Sequence, residues 1–339
     1  MKKLLPVLAI AVIAIALVQS CSKNTYNPGT PSPFDPPLNQ LFAGLRTSPQ
    51  ALAVNAGRDT MVFGAKGTML HFYPKSFKDA TGSTITSGVI NLQIVEMYTP
   101  GDMIANRATT MSGSNLLTSG GQINLTATMN GQTVYTNKYG IGFIQSKQSN
   151  IVMTLFSGNT KNGDSVVNWV VGDTSKEYTK AWIGDTTQHP TIPLIYGRAW
   201  LGFVFDSASS LEYTNCDAFY SSDSPMVSIN VVMPDGAFTP TNTQLYLVLP
   251  DINCAMSSLE SSLGSASYDP TTKTIKLVNE SQKNIVPAGM KYKLVVIANK
   301  NGQYYHYEQD GTIPHTGLTA KAVMNADSEA SIKSMLSKL

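Results

Sequence analysis

Period-two alternation of apolar and polar residues dominates the chain. In Val89-Ile90-Asn91-Leu92-Gln93-Ile94, the residues Ile90, Leu92 and Ile94 fall on one side and Asn91 and Gln93 on the other, the pattern of a half-buried strand. Ile123, Leu125, Ala127 and Met129 alternate with Asn124, Thr126 and Thr128 in the same way. Asn130-Gly131 follows and leads into Gln132-Thr133-Val134-Tyr135. A tight hairpin needs positive φ at both turn positions, which Asn and Gly supply. Met69 to Tyr73, Ile141 to Ile144 and Ile151 to Phe156 add strands, so a first β-sandwich domain is expected over residues 45–157. Residues 158–190 are polar and punctuated by Gly158-Asn159, Asn162-Gly163 and Gly172-Asp173; with one short run, Val166 to Val171, they read either as a connector with one hairpin or as an extension of a sheet.

A second β domain is expected over residues 191–339. Val227, Ile229, Val231 and Met233 alternate with Ser228, Asn230 and Val232, and Leu245 to Leu249 and Lys293 to Ala298 are apolar runs. Asn301-Gly302 joins the last of these to Gln303-Tyr304-Tyr305-His306-Tyr307 as a second hairpin. Two helices are expected. One runs from Ala255 to Leu263, with Asn253 as cap and Gly264 just past its end. The other closes the chain: Asp327 can cap it, Ile332, Met335, Leu336 and Leu339 share a face, and Lys333 and Lys338 suit its negative end. The fold class is therefore mainly β, two antiparallel β-sandwich-like domains with a short C-terminal helix.

The first residues carry an address. Met1-Lys2-Lys3 is a positive start, and Leu4 to Val18 is almost unbroken apolar sequence, the build of a secretory signal peptide over residues 1–20. It is shorter than the about 20 apolar residues a comfortable membrane span needs. Leu17-Val18-Gln19-Ser20-Cys21 resembles the lipobox of bacterial lipoproteins, although Gln19 replaces the usual small or aliphatic residue. The resemblance implies a covalent lipid (palmitate-type acyl chains) on Cys21, the first residue of the mature protein. Each buried methylene of such chains contributes about 0.8 kcal/mol to membrane binding. The competing reading is a plain cleaved signal with an incidental cysteine. Pro28, Pro31, Pro33, Pro36 and Pro37 then make residues 21–44 an extended tether. The expected location is the cell envelope, anchored in the outer membrane, with the periplasmic or surface face open.

Charge and cysteines narrow the function classes. Loss of residues 1–20 removes Lys2 and Lys3 and leaves 22 basic against 22 acidic residues. A neutral chain lacks the basic footprint that nucleic-acid binding requires. Cys216 and Cys254 are either bridged, as an exported compartment permits, or two buried thiols. Neither has a His or Cys at zinc-ligand spacing. His71, His189, His306 and His315 are scattered, and no nucleophile elbow, metalloprotease helix or phosphate loop occurs. Asp206, Glu212, Asp217 and Asp223 read as turn caps rather than a calcium site. No metal site, catalytic residue or cofactor beyond the Cys21 lipid is expected. Tyr304, Tyr305 and Tyr307 are candidate ligand-binding residues, against the plainer reading that they pack within a strand.

Two resemblances add to this. The stretch Leu70 to Gly82, the strand 88–97, Thr99-Pro100-Gly101-Asp102-Met103-Ile104 and Ser119-Gly120-Gly121-Gln122-Ile123 are similar to a group of uncharacterised Bacteroidetes lipoproteins. Tyr213-Thr214-Asn215-Cys216-Asp217-Ala218-Phe219-Tyr220 is similar to a Trp-x-Asn-Cys-Asp-x-Phe signature of that group, with Tyr213 in place of Trp. The first half also faintly resembles the β-sandwich domain shared by ankyrins and netrin receptors. Some of those domains cleave themselves at His-Phe-Ser; this chain has His71-Phe72-Tyr73, so the nucleophile is missing and the activity is not implied. The expected function is a non-enzymatic, lipid-anchored protein of the cell envelope that binds a glycan or an envelope protein or serves assembly. The alternative is a hydrolase acting on glycans.

Overall fold

The computed structural model describes residues 36–339, apart from 114, 146–152, 161–166, 172–177, 184–198, 206–210, 212, 259–267, 278–283 and 285. The signal peptide, Cys21, the tether before residue 36 and His189 lie outside the described residues. The described chain is mainly β, in several antiparallel sheets with a short C-terminal helix. In the first sheet the strands follow the order Gln50–Asn55, Val89–Met97, Asn115–Met129, Tyr213–Phe219, Thr154–Thr160 and Val167–Val171. The second sheet runs Tyr178–Ile183, Ala199–Phe205, Tyr139–Gln145, Met69–Phe72 and Thr60–Phe63. Ile90, Leu92, Ile94, Ile123 and Leu125 from the first sheet and Leu70, Phe72, Ile141 and Phe143 from the second form one buried cluster. Alternation thus sends one face of each sheet into a shared core, as sandwich packing requires.

A third sheet orders Tyr268–Asp269, Thr274–Leu277, Ile229–Val232 and Leu318–Lys321. A fourth orders Cys254–Ser257, Thr243–Leu249, Lys291–Lys300, Gln303–Thr312 and Asn325–Asp327. Ile229, Val231, Ile275 and Leu318 meet Leu245, Leu247, Leu249, Leu294 and Val296 in a second core. One pair departs from the antiparallel pattern: Ile229–Val232 and Leu318–Lys321 are parallel.

The two central strands of the fourth sheet explain their own sequences. Leu245, Leu247 and Leu249 face the core just described, whereas Tyr246 and Val248 face another cluster with Val295 and Ile297. Burial on both faces removes the need for polar alternation, so such strands read as continuous apolar runs. That other cluster also takes Leu117, Phe156 and Trp169 from the outer face of the first sheet. Three helices fill it. α1 is Pro36–Leu45, α2 is Pro100–Ala105 and α3 is Glu329–Leu336. A core made jointly by residues from Leu38 to Leu336 therefore ties both sheet pairs together.

Several expectations are corrected. The chain from Pro36 onward is helical, not extended: Leu38, Leu41, Phe42 and Leu45 share one helical face and are at most 2% exposed, and proline is tolerated in a helix's first turn. Cys254–Ser257 is a buried strand paired with Tyr246–Leu249 rather than the start of a helix. Asn253, with φ 50°, closes the short 3-10 turn Pro250–Ile252 and turns the chain into that strand instead of opening a helix as its N-cap. For residues 158–190 the sheet-extension reading is the one seen, since Val167–Val171 joins the first sheet; across the expected domain boundary, Tyr213–Phe219 also joins the first sheet and Ala199–Phe205 the second. Ser328 caps α3 by accepting from the Ser331 N–H, and Asp327 in turn accepts from Ser328 N.

Candidate functional site

Two polar constellations stand out, one buried and one open. The buried one is built on a bulge. Asn215 pairs with Gln122 and Asp217 with Ser119, so Gly120 and Gly121 together oppose Cys216. The extra residue turns Ser119 and Gln122, three apart in sequence, to the same face as Asn215 and Asp217, as a bulge re-aims side chains. Gly121 is required there. Its φ is 128°, and an added Cβ would come within 2.5 Å of the Tyr98 ring. Gln122, Asn215 and Asp217 are all fully buried. Asn215 Nδ2 donates to Asp217 Oδ2, and Gln122 Nε2 reaches the Thr109 carbonyl at 3.5 Å. Burial pushes the Asp217 carboxyl up to about 8, against hydrogen bonds from Ser119, Asn215 and the Gly120 amide that pull it down. The Asn-Cys-Asp signature is therefore interior. Its two polar side chains lie on one face of the strand, and Cys216 packs on the other, within the first core.

The open constellation is a groove of about 680 Å³ over the outward face of the third sheet, within the range of small-molecule sites. Register places Lys276 beside Asn230 and Asn230 beside Thr319. Neighbouring strands lie about 4.8 Å apart, so these three side chains form a straight row of hydrogen-bonding groups across the floor. Ser228, Thr274 and Asp269 also line the groove. The Asp269 carboxyl accepts from Thr272 Oγ1 and the Thr271 N–H, which hold it below the usual carboxylate range. With Lys276 and Asp269 opposed in charge, the remaining lining is amide, hydroxyl and aliphatic. Such a lining offers hydrogen-bond donors and acceptors without net charge. No sequence signal marked these residues. Asn230 reads only as the solvent side of an alternating strand, and the strands that carry Lys276 and Thr319 are too short to single out.

The residues named from sequence are dispersed. Tyr305 and Tyr307 lean on the second core, whereas Tyr304 leans on the cluster around the helices. Tyr305 stands edge-on to Phe238 at 5.5 Å between ring centres. Tyr307 Oη donates to Gln309 Oε1 at 2.7 Å, and Gln309 Nε2 donates to Tyr292 Oη at 2.6 Å. Both phenols are pushed up by burial. All three tyrosines are half-buried and engaged in packing, not gathered on one open face. Cys216 and Cys254 are buried thiols in different cores, so the unbridged alternative is the one seen. His306 Nδ1 pairs with Asp327 Oδ2 at 2.7 Å and His71 Nε2 with Asp59 Oδ1, each joining neighbouring strands or loops. Asp206 and Glu212 lie outside the described residues, and of the remaining two acids Asp217 is buried while Asp223 is exposed. Among the described residues no three His, Cys, Asp or Glu side chains gather as a metal site, and no helix is long and apolar enough to cross a membrane.

Compared with known protein families, curated proteins and solved structures, the chain finds no match.

Proposed function

We propose that the protein is a cell-envelope lipoprotein that binds or assembles through the groove on its third sheet. Cys21 carries the anchoring lipid in the outer membrane, and the folded part serves a non-enzymatic binding or structural role. The reading of the anchor draws on the positive start, the apolar run and the lipobox-like Leu17 to Cys21. It accords with the likeness to Bacteroidetes lipoproteins. The observation that carries the binding role is the row Lys276, Asn230 and Thr319 along the groove floor. These groups donate and accept without net charge once Asp269 is counted, which fits the hydroxyls of a neutral glycan.

The test is a glycan array probed with the folded part and with Asn230→Ala. Neutral oligosaccharides are expected to bind the unaltered protein. Binding is expected to fall at least tenfold in the variant with its melting temperature unchanged. Absence of glycan binding, or equal binding by both proteins, contradicts this assignment of the groove.

A further inference from the structure

The buried polar layer leaves three acceptors unanswered. Asn215 Oδ1, Asp217 Oδ1 and Gln122 Oε1 have no hydrogen-bond partner, and all three side chains are 0% exposed. They belong together. Asn215 and Gln122 are register partners on adjacent strands, and Asn215 is hydrogen-bonded to Asp217 two positions along the same face. Native interiors rarely leave such atoms unpaired, because each has given up its water. Here one carboxyl and two amide groups are set side by side by the bulge at Gly120 and Gly121.

A metal cation satisfies all three at once, since carboxylate and amide oxygens are the hard donors that alkali and alkaline-earth ions prefer. Charge selects between these classes. Burial holds the Asp217 carboxyl mostly protonated at neutral pH. A cation that enters displaces this proton to solvent, and the carboxylate then supplies a single negative charge with no salt bridge among the described residues. A monovalent ion brings the buried group to neutrality, whereas a divalent ion leaves a net charge away from water, which is costly. We propose that Gln122, Asn215 and Asp217 form an interior binding site for an alkali metal cation. The ion ties the strand Tyr213–Phe219 to Asn115–Met129 where the first sheet faces the helices and the fourth sheet. This site is independent of the groove and of any ligand bound there.

The test uses the folded mature protein purified in choline chloride. Thermal melts are recorded as sodium chloride or potassium chloride replaces choline chloride at constant ionic strength. The expected result is a rise in melting temperature that saturates as a single site fills, with unequal responses to the two ions. Asp217→Asn keeps the shape and removes the charge; it is expected to fold and to lose the response. Gln122→Glu adds a second carboxylate and is expected to move the response from the alkali ions to calcium. A flat melting temperature for the unaltered protein in both salts overturns the proposal and assigns the three oxygens to water or a proton. An undiminished response in Asp217→Asn overturns it too. Should either variant fail to fold, the melts of the unaltered protein decide alone.

Discussion

The carbonyl oxygen of Leu336 lies 1.8 Å from where a β-carbon on residue 101 would stand. α3 therefore rests directly on the backbone of Gly101 in α2, and only glycine permits that approach. Gly101→Ala forces the two helices apart. Overpacking of this kind costs typically about 1–3 kcal/mol. Denaturant unfolding is expected to show a loss in that range, and amide exchange is expected to quicken first in Glu329–Leu336.

α1 joins the stretch that follows the expected lipid anchor to the interior. Phe42 is 1% exposed, packs on Tyr246 with ring centres 6.0 Å apart, and carries the Arg107 guanidinium 4.4 Å above its ring. Phe42→Ala is expected to destabilise the protein by about 3–5 kcal/mol, the usual cost of emptying a phenylalanine site. Limited proteolysis is expected to cut within Pro36–Leu45 much sooner in the variant. An unchanged cleavage pattern means that α1 is not held by this core.

Glu96 secures the loop between Thr60–Phe63 and Met69–Phe72. Its carboxylate is 5% exposed and accepts from Lys66 N at 2.7 Å and Thr68 N at 2.8 Å. Glu96→Ala strands two backbone donors, at about 1–3 kcal/mol for each one left buried. Glu96→Gln retains an acceptor and is expected to lose less. Chemical denaturation of both variants checks the order.

Acid is expected to weaken one surface tie. Asp235 accepts from Lys300 Nζ at 3.0 Å and from Ala237 N at 2.8 Å, and these hydrogen bonds hold its carboxyl below the usual value. A carboxyl lowered on folding stabilises above its unfolded value, about 3.9 for aspartate, and that contribution is lost as pH falls through the lowered one. The stability difference between the unaltered protein and Asp235→Asn is expected to be constant at neutral pH and to vanish in strong acid. Melts taken from pH 7 downward measure it.

Much of the fold was legible because burial obeys period two. Ile90, Leu92, Ile94, Ile123 and Leu125 are all at most 1% exposed, and the expected hairpin turns Asn130-Gly131 and Asn301-Gly302 hold positive φ at each residue. What escaped notice has physical causes. α1 was hidden by prolines that suggest extension, although Leu38, Leu41, Phe42 and Leu45 already stand at helical spacing. α2 is a single capped turn of six residues, closed by Thr99 and Asp102, too short for periodicity to register. Cys254–Ser257 is buried in the sheet at all four positions, and a short apolar run of that kind does not distinguish strand from helix. The groove was invisible because it depends on which strands become neighbours. Lys276, Asn230 and Thr319 span 90 residues of sequence and meet only through one antiparallel and one parallel pairing that no local pattern encodes.

The measurement that bears most directly on the proposed function is the mass of the N-terminal peptide of the protein extracted from native membranes. The account predicts a mature chain that begins at Cys21 and carries acyl chains on that residue, with none on a Cys21→Ala variant. A chain that retains residues 1–20, or one that begins elsewhere without fatty acid, contradicts the envelope anchor and the role built on it.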